Sequence, residues 1–91
     1  MGIVKLKFEE EVKIVSVQRW KKNNVDVVLE VSRRRFAKAV RDLLVASIKE
    51  RFPDAFVEGV VVSNRINLTL MFAPPSAGNV SFWRKLLSQP I

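Results

Sequence analysis

Between Arg33 and Phe52 the chain runs without Gly or Pro, and apolar side chains recur at helical spacing. At ~100° per residue, Phe36, Val40, Leu44, Ile48 and Phe52 form one ridge. Ala39, Leu43 and Ala46 widen it on one side, Ala37 and Val45 on the other. The apolar positions sweep roughly 260° of the helix, against the ~100° or more that a surface helix buries. Arg35, Lys38, Asp42 and Lys49 share the clean polar face. Ser32 is placed as N-cap, and Pro53 stops the helix. A helix this apolar needs two burial partners, its own sheet and something else. The pattern predicts a protein that works by association.

Around that helix the period changes to two. Val4, Leu6 and Phe8 alternate with Lys5 and Lys7, which predicts a strand over Ile3 to Phe8, interrupted by Glu9-Glu10-Glu11. Val12 to Trp20 is dense in β-branched residues and reads as a second strand, with a helix as the alternative. Lys21-Lys22-Asn23-Asn24 is a polar turn in which Asn supplies the left-handed conformations a hairpin needs. Val25 to Ser32 is a strand with Val25, Val27, Leu29 and Val31 on one face. Beyond Pro53, Phe56 to Ser63 and Ile66 to Phe72 form a hairpin across Asn64-Arg65. Pro74-Pro75 ends it. Helical spacing returns from Val80 to Ser88, with Val80, Trp83 and Leu87 together and Ser81, Arg84, Lys85 and Ser88 opposite; Pro90 closes it. The expected fold is a single α+β domain over 1–91. An antiparallel sheet carries two helices on one face, in the order N-terminal hairpin, long helix, hairpin, short C-terminal helix.

Composition narrows the function. An apolar fraction of 48% with mixed charges marks a globular chain. No apolar run approaches the ~18–20 residues of a membrane span, and no signal-peptide pattern is present, so a cytoplasmic protein without membrane contact is expected. His, Cys and Tyr are absent, which removes the commonest general bases, thiol nucleophiles and zinc ligands. The three glycines form no phosphate-binding loop. Glu9-Glu10-Glu11 reads as a solvated bulge, since adjacent strand residues point to opposite faces. The sequence predicts a protein that is not an enzyme and carries no cofactor or metal.

The charge excess points elsewhere. Sixteen Lys and Arg against nine Asp and Glu give +7, a surplus that favours a polyanionic partner. Arg33, Arg34 and Arg35 stand at the start of the long helix, where backbone N–H groups and guanidinium forks suit phosphate. Solvated arginines are the alternative. Lys21 and Lys22 lie beside Trp20, which suits a stacked base or, alternatively, a core indole. Arg84 and Lys85 add charge on the last helix. Phe36, Val40, Leu43 and Leu44 of the long helix, with Val80, Phe82, Trp83 and Leu87 of the short one, are the candidate partner surface.

Two local motifs carry a resemblance. Phe36-Ala37-Lys38-Ala39-Val40 and Ser81-Phe82-Trp83-Arg84 resemble the openings of the two helices in the small dimerisation subunit of KEOPS, the complex that makes threonylcarbamoyladenosine in tRNA. From Val27 onward the element order is similar too. Residues 1 to about 24 have no counterpart in the simplest members and Pro90 shortens the second helix, so the resemblance is to a paralogue or accessory partner. It implies a non-catalytic scaffold, a homo- or heterodimer through its helices, assisting a tRNA-modifying enzyme. Val27 to Val40 is also similar to the archaeal Alba family, through Lys38-Ala39-Val40. There Arg34 replaces the family's Gly, Glu9-Glu10-Glu11 its lysine pair, and Asn64-Arg65 its longer hairpin arm. That second resemblance implies a basic DNA- or RNA-binding protein. An orphan protein-interaction module is the third reading.

Overall fold

The alternating segments form four strands in the computed structural model, which describes residues 12–88. They are β1 (Val12–Trp20), β2 (Asn24–Val31), β3 (Phe56–Val62) and β4 (Arg65–Met71). The segments of helical period form α1 (Ala37–Arg51) and α2 (Val80–Leu87), each led by a short 3-10 turn, Arg34–Phe36 and Pro75–Gly78. The strand expected over Ile3 to Phe8, Glu9-Glu10-Glu11 and the stop at Pro90 lie outside the described residues.

One antiparallel sheet results, in the order β1-β2-β4-β3. Each hairpin pairs locally, and the two hairpins join where Val27 meets Leu68 and Leu29 meets Ile66. β2 and β3 therefore run parallel with β4 between them, and α1 supplies the long crossover that parallel strands require. The core lies on one face of this sheet. Val25, Val27, Leu29 and Val31 of β2 and Ile66, Leu68 and Leu70 of β4 are buried there. Ala37, Val40, Leu44 and Ile48 of α1 and Trp83, Leu86 and Leu87 of α2 cover them. Gly59 of β3 lets α1 come close, since a Cβ there would stand 2.7 Å from Arg41 Cγ.

β1 holds a bulge that no periodicity announced. Ile14 pairs with Leu29 and Ser16 with Val28, so Val15 is the extra residue. The inward set then changes from Val12 and Ile14 to Val17 and Arg19.

Two local expectations need correction. α1 starts at Ala37, with Arg33 extended and no side-chain cap at Arg33 or Phe36. Ser32 therefore sits one residue outside the N-cap of the turn. The 3-10 turn meets the need locally, the Phe36 N–H donating to the Arg33 carbonyl at 3.0 Å. Secondly, the left-handed turn residues are Lys21, Ser63 and Phe72, at φ 56°, 58° and 59°, and not the asparagines. Asn64 instead clamps the hairpins together: Val31 N–H donates to its carbonyl at 2.7 Å, and its Nδ2 donates to the Val31 carbonyl at 3.3 Å. The chain itself covers only part of the apolar sweep of α1, burying Ala37, Val40, Leu44 and Ile48. α2 reaches the end of α1 through Phe52 and Phe82, whose rings lie 5.5 Å apart, and Ala39, Leu43 and Ala46 stay exposed.

Phe72 is the costliest of the three turn residues. A bulky side chain in the left-handed region loses roughly 1–2 kcal/mol, and this one recovers little by burial, being 71% exposed. Phe72→Gly is expected to raise stability by about 0.5–1 kcal/mol, after the extra chain entropy of glycine is deducted. A urea midpoint that stays or falls would contradict this.

Candidate nucleic-acid interface

The expected basic residues fall into separate groups. Lys21 and Lys22 occupy the β1–β2 turn, where the Arg19 guanidinium donates to the Lys22 carbonyl at 2.8 Å. The Arg19 stem packs against Gly78. Arg33, Arg34 and Arg35 stand at the other end of β2, which at ~3.3 Å per residue puts roughly 25 Å between the two groups. Arg84 and Lys85 lie on the exposed face of α2, in its last turn, where the helix dipole favours cations.

The arginine group lines a concavity. Arg34, Arg35 and Lys38 line a cleft of about 530 Å³ against Val61 and Ser63 at the β3–β4 turn. No acidic residue lies in the first turn of the 3-10 segment or of α1, so no carboxylate there competes with an incoming anion. The guanidiniums of Arg33 and Arg35 sit 5.9 and 4.9 Å from the ring centre of Phe36. These cation–π contacts place both guanidiniums beside the Phe36 ring.

The chemistry of the cleft differs from the expected one. Backbone N–H groups contribute less, because the tight turn consumes those of Phe36 and Ala37 on the carbonyls of Arg33 and Arg34. Side-chain forks do the binding instead. Lys38, expected only on the polar face of the helix, and Ser63 line the cleft without being among the expected phosphate contacts. Lys38 was within reach of the sequence pattern, since Arg34 and Lys38 are spaced i, i+4 and share a face. Ser63 was not, because its place depends on how β3 folds back beside α1.

The face of the sheet away from the helices has the opposite character. Asp26, Glu30 and Glu58 all lie on its register, against Lys13 and Arg65. Arg65 is engaged with Glu30 at 3.7 Å. A phosphate backbone laid across this face would meet three carboxylates. Trp20 belongs to this face, opposite Asn24. Its indole N–H is buried without a hydrogen-bond partner among the described residues, and Lys21 Nζ lies 5.6 Å from its ring centre. The indole is half-buried.

The candidate partner residues also divide. Val40, Leu44, Trp83 and Leu87 are buried in the chain's own core and cannot meet a partner. Phe82 is half-buried against Phe52 and Trp83. Phe36, Leu43 and Val80 remain exposed. The division follows from α2 docking back on its own sheet.

Comparison with protein-family models, with curated proteins and with solved structures gave no match. Among the described residues, no helix is long and apolar enough to cross a membrane.

Proposed function

We propose that this chain is a non-catalytic accessory subunit that holds RNA by its phosphates for a partner protein. The observation that carries this reading is the one-sidedness of the charge. No carboxylate lines the cleft with Arg34, Arg35 and Lys38, the nearby Asp42 being paired with Arg41, while three of the acidic residues sit on the open sheet face. Phosphate is the ligand such a site suits best, because guanidinium forks match its oxygens in geometry as well as charge. The resemblance to the KEOPS small subunit supports tRNA as the RNA and a tRNA-modifying enzyme as the partner. The two-residue turn Ser63-Asn64 offers no arm to reach around a duplex, which favours this reading over an Alba-like one.

Fluorescence anisotropy with a tRNA and with duplex DNA of equal length tests it. The isolated protein is expected to bind tRNA with micromolar affinity at low salt, weakening linearly as log salt rises. Equal or tighter binding to duplex DNA would move the assignment to a general DNA-binding protein. No binding of tRNA at low salt would end the proposal.

A further inference from the structure

At the end of β2 away from the arginines, the end of α1 and the segment after β4 enclose a second cleft, of about 480 Å³. Residues 51–55 form one wall and residues 72–75 the other. Asn23 of the β1–β2 turn joins them, its carbonyl accepting the Ala73 N–H at 2.9 Å. Pro53, Pro74 and Pro75 fix φ along both walls. The Ala55 N–H donates to the Phe52 carbonyl at 3.0 Å, which closes the first wall on itself. Ala55 and Ala73 are buried and small, so the space between the walls stays open. The cleft is preformed.

Its side chains suit one class of ligand. Phe72 stands 71% exposed at φ 59°, a conformation that glycine adopts without strain. Neither burial nor the turn calls for an aromatic there, and outliers of this kind gather where a ligand is held. An exposed ring beside cations is a platform for a nucleobase. The cations are Arg51 on the wall and Lys21 and Lys22, which precede Asn23 in its turn. Asp54 selects the base. Its carboxylate is exposed, engages in no ion pair among the described residues and can only accept hydrogen bonds. On its Watson–Crick edge guanine presents two adjacent donors, N1–H and N2–H, which one carboxylate takes together. Adenine and cytosine set a donor beside an acceptor, and uracil has a single donor. An apolar peptide segment would leave Asp54 and Asn23 without use. We infer that this cleft takes an unstacked guanine of single-stranded RNA, its ring on Phe72 and its Watson–Crick edge on Asp54. The inference rests on the RNA reading above, and adds a preference for one base to a protein whose other cleft meets phosphate.

Oligouridine RNAs carrying one central guanosine, adenosine or inosine, each long enough to span both ends of β2, test it by fluorescence anisotropy at low salt. The guanosine RNA should bind the full chain about 10-fold tighter than the adenosine RNA. Inosine, which lacks the N2 amino group, should fall between them. Phe72→Gly should lose about 10-fold on the guanosine RNA. Its urea midpoint should not fall, which separates lost stacking from lost folding. Phe72→Tyr keeps a stacking face and should retain the affinity. Asp54→Asn replaces two acceptors by one acceptor and one donor, and should turn the preference from guanosine to adenosine. Equal affinity for the guanosine and adenosine RNAs, or unchanged binding by Phe72→Gly, would overturn the inference. Either result would leave the phosphate cleft in place and assign the second cleft to a protein segment. Binding of neither tRNA nor any of the three RNAs would remove both readings together.

Discussion

Trp83→Ala is expected to cost about 3–5 kcal/mol, enough to unfold much of a domain whose whole stability is of order 5–15 kcal/mol. Trp83 is the largest fully buried side chain. Its indole N–H donates to the Ala77 carbonyl at 2.7 Å, tying α2 to the 3-10 turn before it. Its ring also takes the edge of Phe82 at 5.3 Å. Truncation to Ala leaves a cavity, strands the Ala77 carbonyl and releases α2 from the sheet. Trp83→Phe keeps most of the volume but not the donor, and should cost about 1–3 kcal/mol. Trp20→Phe is the contrasting case. Its N–H is buried with no partner among the described residues, so deleting it relieves a desolvation penalty of about 1–3 kcal/mol that offsets the lost contact area. Urea unfolding should find Trp20→Phe near neutral. Equal losses at the two tryptophans would show that the hydrogen bond to Ala77 contributes nothing.

The elements of this fold were legible because each is amphipathic at one period. Val25, Val27, Leu29 and Val31 alternate with polar neighbours, and β2 lies within a residue of its expected limits. What was not legible depends on contacts between distant segments. Strand order is one such feature: nothing in Ile66, Leu68 and Leu70 says that β4 sits between β2 and β3, since a central antiparallel strand alternates like any other. The bulge at Val15 is another. Ile14, Val15 and Val17 are all β-branched, and the residue that leaves the register is chosen by pairing with β2. The apolar arc of α1 is covered by the chain itself along one stripe, while Ala39, Leu43 and Ala46 stay exposed. The candidate site was legible as charge, through Arg33 to Arg35. Its shape was not, because the wall opposite Arg34 and Lys38 is Val61 and Ser63.

The same cleft bears the second large effect. The triple substitution Arg34→Ala/Arg35→Ala/Lys38→Ala is expected to weaken tRNA binding about 30- to 100-fold, taking each exposed phosphate contact at up to ~1 kcal/mol. The loss should come with a signature. Each phosphate contact contributes about 0.7 to the slope of log K against log salt on a single strand and about 0.9 on duplex. Removing three contacts should make that slope shallower by about 2. Fold stability should barely change, since all three side chains are exposed. Lys13→Ala/Arg65→Ala is the control on the open sheet face, where the neighbouring carboxylates predict no loss of binding. Lys21→Ala/Lys22→Ala separates two geometries. An RNA long enough to span both ends of β2 should lose affinity at both groups, while one too short to reach should respond only to the cleft. Unchanged affinity and slope in the triple variant would remove the cleft from RNA binding. A loss of affinity with no change of slope would show that the three cations act through the fold instead of on phosphate.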